Sequence, residues 1–309
     1  MASLQKASPG NYRITGVSGG EKETENSLNV WIISLLMNYL KEGLKKTWLS
    51  IKEHKYLFFL IVFLQIVLLI ALAGFSYDYQ LKILENARGV IEPLEQANYN
   101  ATSIEAGMPF STNMLKVYKN YQEMKKNIFS LISWLGGLFL IVNGALWLLS
   151  HRLLGTIKTW KEAGSAYLKF LAASLVGLAP FFICSYFILS NLMRLEIPLS
   201  TLSWIFQVVI YSIMIIYFFL MASFAFIETK SWKEWLKVWF KVAFKNLHLT
   251  LIMLLINLVL ILLSLYLIYF FMSENTFGLM MLFSLLLILV LVMSRIFWIA
   301  GLREIEKKD

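Results

Sequence analysis

The side chains with the richest chemistry in this sequence are three histidines and a single cysteine. His54, His151 and His248 each lie at the end of an apolar run, and their spacing matches no metal-binding motif. Cys184 lies alone in an apolar run, so neither an internal disulfide nor a site built on paired cysteines can form. The sequence contains no HExxH pattern and no phosphate-binding glycine loop. We therefore expect a protein that is not an enzyme and that holds no metal or cofactor.

A second set of polar residues lies inside the apolar runs, where polar groups often mark function. Gln65, Asn143, Gln207 and Asn257 are uncharged, and they suit two roles: hydrogen bonds between packed helices, or the lining of a substrate path. Arg295 lies close enough to the end of its run for its side chain to extend to the membrane surface. No Asp or Glu falls deep inside a run. This absence argues against a proton- or sodium-coupled transporter and against a membrane protease that uses carboxylates.

The elements that must position these residues are six long apolar runs. Hydrophobic residues make up 59% of the chain and charged residues 15%, against about 25% charged in soluble domains. Runs of this length should be helices, because a bilayer offers no water to satisfy backbone groups. The sequence predicts an all-α integral membrane protein with six transmembrane helices, arranged as three hairpins with interfacial amphipathic helices on the cytoplasmic side. The predicted spans are 56–76, 128–150, 169–192, 202–227, 249–272 and 277–299, with Pro180 expected to kink the third.

The distribution of Lys and Arg predicts the orientation of these spans. Basic residues cluster before the first span, between the second and third, between the fourth and fifth, and after the sixth. The positive-inside rule then places both termini in the cytoplasm of a protein of the cell membrane. The net charge of +9 is explained by this clustering, so no nucleic-acid partner is expected. Asn100 begins an Asn-Ala-Thr sequon in the loop of residues 77–127, where N-glycosylation would be possible on the outer side.

The segments outside the spans differ in composition. Residues 1–27 are polar and predict a disordered cytoplasmic tail, followed by interfacial or amphipathic helices over 28–55. The membrane domain follows over 56–300, and 301–309 form a second cytoplasmic tail. The outer loop, 77–127, has helical spacing of apolar residues on both sides of its centre and predicts a helical extension of spans one and two. This extension could be a structural cap or a contact surface for a protein partner.

A short motif precedes each odd-numbered span. It reads Lys-Thr-Trp at residues 46–48, Lys-Thr-Trp-Lys-Glu at 158–162 and Lys-Ser-Trp-Lys-Glu at 230–234. It predicts an internal repeat in which a basic, Trp-containing helix leads into two spans. The residues predicted to lie at the membrane interface are Trp48, Trp160, Trp232, Trp235, Trp239, Lys233, Lys237, Lys241 and Lys245.

The third copy develops into an interfacial helix over about 230–247. Its tryptophans and its lysines fall at helical spacing on two separate stripes. Tryptophan favours the headgroup level, and lysine favours anionic lipid headgroups on the cytoplasmic side. We expect this helix to anchor the chain to the membrane surface. A coupling site for a cytoplasmic partner such as an ATPase and a site of lipid-headgroup recognition are the alternatives.

The sequences KTWKEAGSAYLKFLAASLVGLAPFFI and KSWKEWLKVWFKVAFKNLHLTLIMLLINLVLI resemble uncharacterised prokaryotic, especially archaeal, polytopic membrane proteins. Those proteins repeat an amphipathic helix with a Trp-Lys-Glu motif before paired spans. The pattern is also similar in style to the membrane domain that accompanies some glycerophosphodiester phosphodiesterases. The resemblance covers residues 130–300 at most. It implies a helical membrane domain and brings no catalytic residues with it.

The sequence thus favours a non-enzymatic multi-pass membrane component that serves as a scaffold, an assembly factor or a bilayer-organising subunit of a membrane complex. The alternative is a permease subunit that works with a separate cytoplasmic ATPase. A lipid enzyme within the membrane is the least favoured reading, since the spans offer no acid–base pair. An open path along Gln65, Asn143, Gln207 and Asn257 would favour the permease, and a tightly packed core would favour the scaffold.

Overall fold

The computed structural model describes residues 20–96, 114–191, 199–271 and 277–308, and these ranges contain helices and no strands. The α-helices are α1 (Gly20–Glu53), α2 (Lys55–Gln96), α3 (Met114–Leu138), α4 (Gly144–Leu153), α5 (Trp160–Asn191), α6 (Leu199–Phe224), α7 (Trp232–Phe240), α8 (Leu247–Phe270) and α9 (Phe277–Lys308). The π-helical segment Phe139–Asn143 joins α3 to α4. A second π-helical segment, Lys241–Lys245, follows α7. The sequon at Asn100 lies outside the described residues.

Six helical stretches in the described part are long and apolar enough to cross a membrane. They are Lys55–Pro93, Leu115–Leu153, Trp160–Ile183, Gln207–Phe224, Leu247–Phe270 and Gly278–Lys307. Within the described residues the all-α prediction is therefore confirmed, and the six apolar helices fit a multi-pass membrane protein. The first two stretches extend well beyond the predicted spans, because α2 and α3 continue without interruption into the loop of residues 77–127. Pro180 lies inside α5, and its effect on the direction of that helix remains a prediction.

The first helix begins at Gly20 and includes residues 20–27, which we predicted to be a flexible tail. Glu and Lys are frequent there, and both have high helix propensity. A single residue, His54, separates α1 from α2. At its carboxyl-terminal half α1 packs along α9, where Lys46 forms an ion pair of 3.4 Å with Glu304. Partial burial lowers the pKa of Lys46, and the nearby ammonium of Lys307 lowers it further against the opposing effect of Glu304.

The last helix occupies the centre of the bundle. α9 contacts α1, α2, α4 and α8, while α2 packs along α3 and α5 along α6. Residues 296–300 of α9 are all buried and belong to the core. Trp298 is fully buried there and donates a 2.8 Å hydrogen bond from Nε1 to the carbonyl of Met221 in α6. The position of α9 explains how residues near the carboxyl terminus can meet side chains from the first span.

The extensions of α2 and α3 pack against each other away from this core. Val90, Val117 and Tyr121 form a small buried cluster between them. Asn120 Nδ2 donates a 3.0 Å hydrogen bond to the carbonyl of Gly89. A Cβ atom at position 89 would lie 2.3 Å from that amide nitrogen, so a larger residue there would displace the Asn120 side chain and its hydrogen bond. The predicted helical continuation of the two spans is present in the described part of the loop.

The repeated Trp-containing motif has a local function that the sequence reading missed. Thr159 and Glu162 form a capping box: Thr159 Oγ1 accepts from the Glu162 amide, and Glu162 Oε2 accepts from the Thr159 amide, both at 3.2 Å. Ser231 Oγ likewise accepts a 3.1 Å hydrogen bond from the amide of Glu234. These two copies start α5 and α7. The first copy differs, because residues 46–48 lie inside α1 and start no helix.

Candidate functional site

A cavity of about 490 Å³ lies between the spans, and polar residues from separate helices converge on it. We name it the Arg295 cavity. Its polar lining residues are Gln65, Asn143, Tyr217, Asn257, Ser294 and Arg295, and the other twelve of its eighteen lining residues are apolar. Ligand sites of proteins have volumes of about 300–1,000 Å³ and this same mixture of apolar walls with a few placed polar groups.

Arg295 provides the charge of this cavity. Its Nη2 donates to Gln65 Oε1 at 2.9 Å and to Asn143 Oδ1 at 3.3 Å, and its guanidinium lies 5.8 Å from the centre of the Trp147 ring. The prediction that this side chain extends to the membrane surface is therefore wrong. Arg295 instead turns into the bundle, because amide oxygens from α2 and from the π-helical segment accept its hydrogen bonds there.

The π-helical segment Phe139–Asn143 positions Asn143 at the cavity. A π-helical turn frees a backbone carbonyl from its usual partner, and such turns occur frequently at functional sites. Tyr167 of α5 satisfies one carbonyl of this segment with a 3.3 Å hydrogen bond from its hydroxyl to Leu140. Gly144 follows directly, and a Cβ there would lie 2.8 Å from both Tyr167 and Phe170. Glycine at position 144 therefore permits the close approach of α4 to α5.

Several polar atoms of the cavity lack hydrogen-bond partners within the described part of the chain. They are Arg295 Nη1, Ser294 Oγ and Asn257 Oδ1, none of which is exposed to solvent. Buried polar atoms in native proteins are almost always paired, so three orphans in one cavity indicate capacity for a further polar group. Of the four amides noted from the sequence, three line the cavity. Gln207 does not, and its side chain is exposed on α6.

A second polar cluster lies at the ends of several spans and centres on Glu228, which follows α6. We name it the Glu228 cluster. Its carboxylate is only 9% exposed, pairs with Arg303 of α9 through Oε1, and has Oε2 3.3 Å from His151 Nδ1. His151 is fully buried, and its Nε2 lies 2.9 Å from the carbonyl of Phe224. The three charged or titratable groups thus join the ends of the second, fourth and sixth spans.

The loop after α4 brings its own residues to this cluster. Gly155 adopts a left-handed conformation with φ of 68°, which turns the chain back towards α4. Thr156 then donates from Oγ1 to the His151 carbonyl at 2.8 Å and lies 3.1 Å from His151 Nδ1. His54 and His248 are exposed elsewhere, so the fold does not gather the three histidines.

Lys169 lies at the start of the predicted third span, within α5. Its side chain is fully buried in α5. The ammonium donates to the carbonyls of Ile227, at 3.3 Å, and Thr229. A cation suits the free carbonyls beyond the carboxyl-terminal end of a helix, so Lys169 ties the third span to the end of the fourth.

The residues predicted for the membrane interface divide into two groups. Trp235 and Trp239 donate from Nε1 to the carbonyls of Ser223 and Phe219 in α6, both at 3.1 Å, and Trp235 is buried. The exposed group contains Trp48, Trp160, Trp232, Lys233, Lys237 and Lys245, and Lys241 is half-buried. α7 is therefore fastened to α6 by two indoles, while its remaining aromatic and basic side chains face outwards.

Comparison of the chain with protein-family models, with curated protein sequences and with solved structures gave no match. The resemblance drawn from the Trp-Lys-Glu motif therefore stays an interpretation of the sequence.

Proposed function

We propose that this chain is a non-enzymatic, multi-pass component of the cell membrane that accepts a ligand between its spans, as a permease subunit. The Arg295 cavity carries this proposal, since a tightly packed core was the feature expected of a pure scaffold. A bound molecule could accept or donate hydrogen bonds to the three unpaired polar atoms and pack against the apolar wall. The scaffold reading offers no use for them.

The energy for transport would come from a separate cytoplasmic ATPase. The eighteen lining residues of the cavity contain no Asp or Glu, the groups that bind coupling ions in many transporters. In this arrangement α7 is the docking helix: two indoles fasten it to α6, and Lys233 and Lys237 remain exposed on it. Because α7 is hydrogen-bonded to α6, a force on it would act on the fourth span.

The same proposal includes a topology of three hairpins with both termini in the cytoplasm. The contacts of α2 with α3, α5 with α6 and α8 with α9 support the hairpins. The Glu228 cluster supports a common side for the ends of spans two, four and six. The basic loops lie at this end, which the positive-inside rule assigns to the cytoplasm. There α7 would rest on anionic headgroups as an amphipathic helix. The capping box at Thr159 and the N-cap at Ser231 support the internal repeat.

Cysteine labelling tests whether the cavity is accessible. In a Cys184→Ser background, Gln65→Cys and Asn257→Cys would be treated with a small water-soluble thiol reagent in proteoliposomes. We expect labelling at both positions, and none at the control Leu146→Cys, whose position is fully buried in the core. If Gln65→Cys and Asn257→Cys are labelled no faster than the control Leu146→Cys, the permease role is rejected.

An assembly role is the second candidate, and a different feature favours it. The extensions of α2 and α3 form their own buried cluster around Val90, apart from the cavity. Such a projection offers a rigid surface to a membrane or secreted partner. Deletion of this projection would abolish complex formation if the protein is a scaffold, and it would leave ligand transport intact if the protein is a permease.

A further inference from the structure

We propose that the Arg295 cavity binds the anionic headgroup of a lipid, with the phosphate or carboxylate paired to Arg295 and the hydrocarbon chain against the apolar wall. This inference rests on the proposed function, because it names the class of ligand for the same cavity. The charge of the cavity favours an anionic ligand. Arg295 is the charged member of the lining, and both of its hydrogen-bond partners, Gln65 and Asn143, are neutral amides.

Arg303 in the same helix shows which kind of partner Arg295 lacks among the lining residues. Eight residues further along α9, Arg303 is paired with the buried carboxylate of Glu228. The Nη1 atom of Arg295 is enclosed, yet no carboxylate lies among the lining residues. A guanidinium presents a planar fork that matches two oxygens of a carboxylate or phosphate. Because Nη2 is occupied and Nη1 is unpaired, an anion approaching from the cavity would bind through Nη1.

The walls of the cavity favour a ligand with a hydrocarbon chain. Apolar side chains provide twelve of the eighteen lining residues, which disfavours a small, fully hydrated anion and suits one that carries a hydrocarbon chain. Ser294 Oγ can donate a further hydrogen bond to the anion, since it also lacks a partner in the described structure.

The cavity is open to a lipid that enters from the membrane plane. Tyr217 of α6 and Leu258 of α8 line the cavity, and yet they are 50% and 45% exposed. Part of the lining therefore lies at the outer surface of the bundle, which a bilayer would cover. Arg295 is eight residues from Arg303, about 12 Å along the helix axis. The headgroup would therefore lie deeper in the bundle than the Glu228 cluster, which is at the ends of the spans. A lipid entering from the membrane plane can reach Arg295 with its chain still in an apolar environment.

Native mass spectrometry of the purified full-length protein tests the ligand class. The protein in neutral detergent would be mixed with phosphatidic acid or with phosphatidylcholine of the same acyl chains. We expect retention of one phosphatidic acid per chain, with at least tenfold preference over phosphatidylcholine. Arg295→Gln should lose this preference. The matched control Arg152→Gln should keep it, because Arg152 is exposed and stacks on Trp160 outside the cavity.

Two further measurements keep the result decisive if Arg295→Gln fails to fold. Ser294→Leu retains the charge but fills cavity volume, and it should reduce phosphatidic acid retention at least fivefold. Inorganic phosphate at millimolar concentration should leave the bound lipid in place. Displacement by inorganic phosphate would overturn the lipid assignment in favour of a free anion. Equal retention of both lipids, or unchanged retention in Ser294→Leu, would also overturn the proposal.

The labelling experiment separates this proposal from the permease role. If Gln65→Cys and Asn257→Cys are labelled while the protein shows no preference for anionic lipid, the cavity is accessible and only the ligand class is wrong. If neither position is labelled and no lipid is retained, both proposals fail together.

Discussion

Replacement of Glu228 by glutamine should destabilise the protein more than any other single charge removal at the ends of the spans. Glu228→Gln preserves the shape of the side chain but leaves Arg303 without its anionic partner. Removing one member of a buried ion pair costs about 3–5 kcal/mol. Arg303 is 20% exposed and can be partly solvated, and glutamine can still accept its hydrogen bond. We therefore expect a loss near the low end of the range, about 3 kcal/mol.

The measurement is the free energy of unfolding in detergent micelles, followed by circular dichroism during a denaturant titration. Glu123→Gln is the matched control, because Glu123 pairs with Lys126 at 3.9 Å and both side chains are about half or more exposed. That change should cost less than about 1 kcal/mol. The double variant Glu228→Gln/Arg303→Gln should be less destabilised than the sum of its single variants. Equal losses for Glu228→Gln and Glu123→Gln would refute the assignment of a buried, coupled cluster.

Three other substitutions test the packing of the extensions and of α7. Gly89→Ala places a Cβ 2.3 Å from Asn120 Nδ2 and breaks the hydrogen bond there, so it should lower the melting temperature. The control Gly74→Ala should leave the melting temperature unchanged, because no atom lies within 4 Å of its Cβ. Trp235→Phe loses the hydrogen bond to α6 and should speed proteolytic cleavage near α7; an unchanged rate would mean that α7 is held by other contacts. Ser231→Ala removes the cap of α7 and should cost about 1 kcal/mol in unfolding free energy, which a denaturant titration against wild type would detect.

The cavity could be predicted only in fragments. Gln65, Asn143 and Asn257 are conspicuous in the sequence because each interrupts an apolar run, and a role in helix packing or in a substrate path follows from that alone. Arg295 is equally conspicuous, but its position near the end of a run favours an extended side chain at the membrane surface. Its contact with Gln65 spans 230 residues of sequence. No local pattern carries that information.

Glu228 was missed because acidic residues near the end of a span are usually solvated. A usable signal was present: Glu228 follows an apolar run directly and lies within a segment otherwise rich in lysine. The two helix-start motifs were missed for another reason. Their tryptophans drew the interpretation towards the lipid interface, although Thr159-x-x-Glu162 and Ser231-x-x-Glu234 match the helix-start pattern in full.

The sequence by itself determined that this protein is a bundle of membrane-spanning helices, and approximately where each helix runs. The reason is local: without water, each apolar run must satisfy its backbone hydrogen bonds within itself, so composition and length decide its structure. Only the tertiary structure decided which polar side chains meet. The central position of α9 brings Arg295 to neutral amides and Arg303 to a carboxylate. Two arginines of one helix thereby acquire different chemistry, because their surroundings come from helices that are distant in the chain.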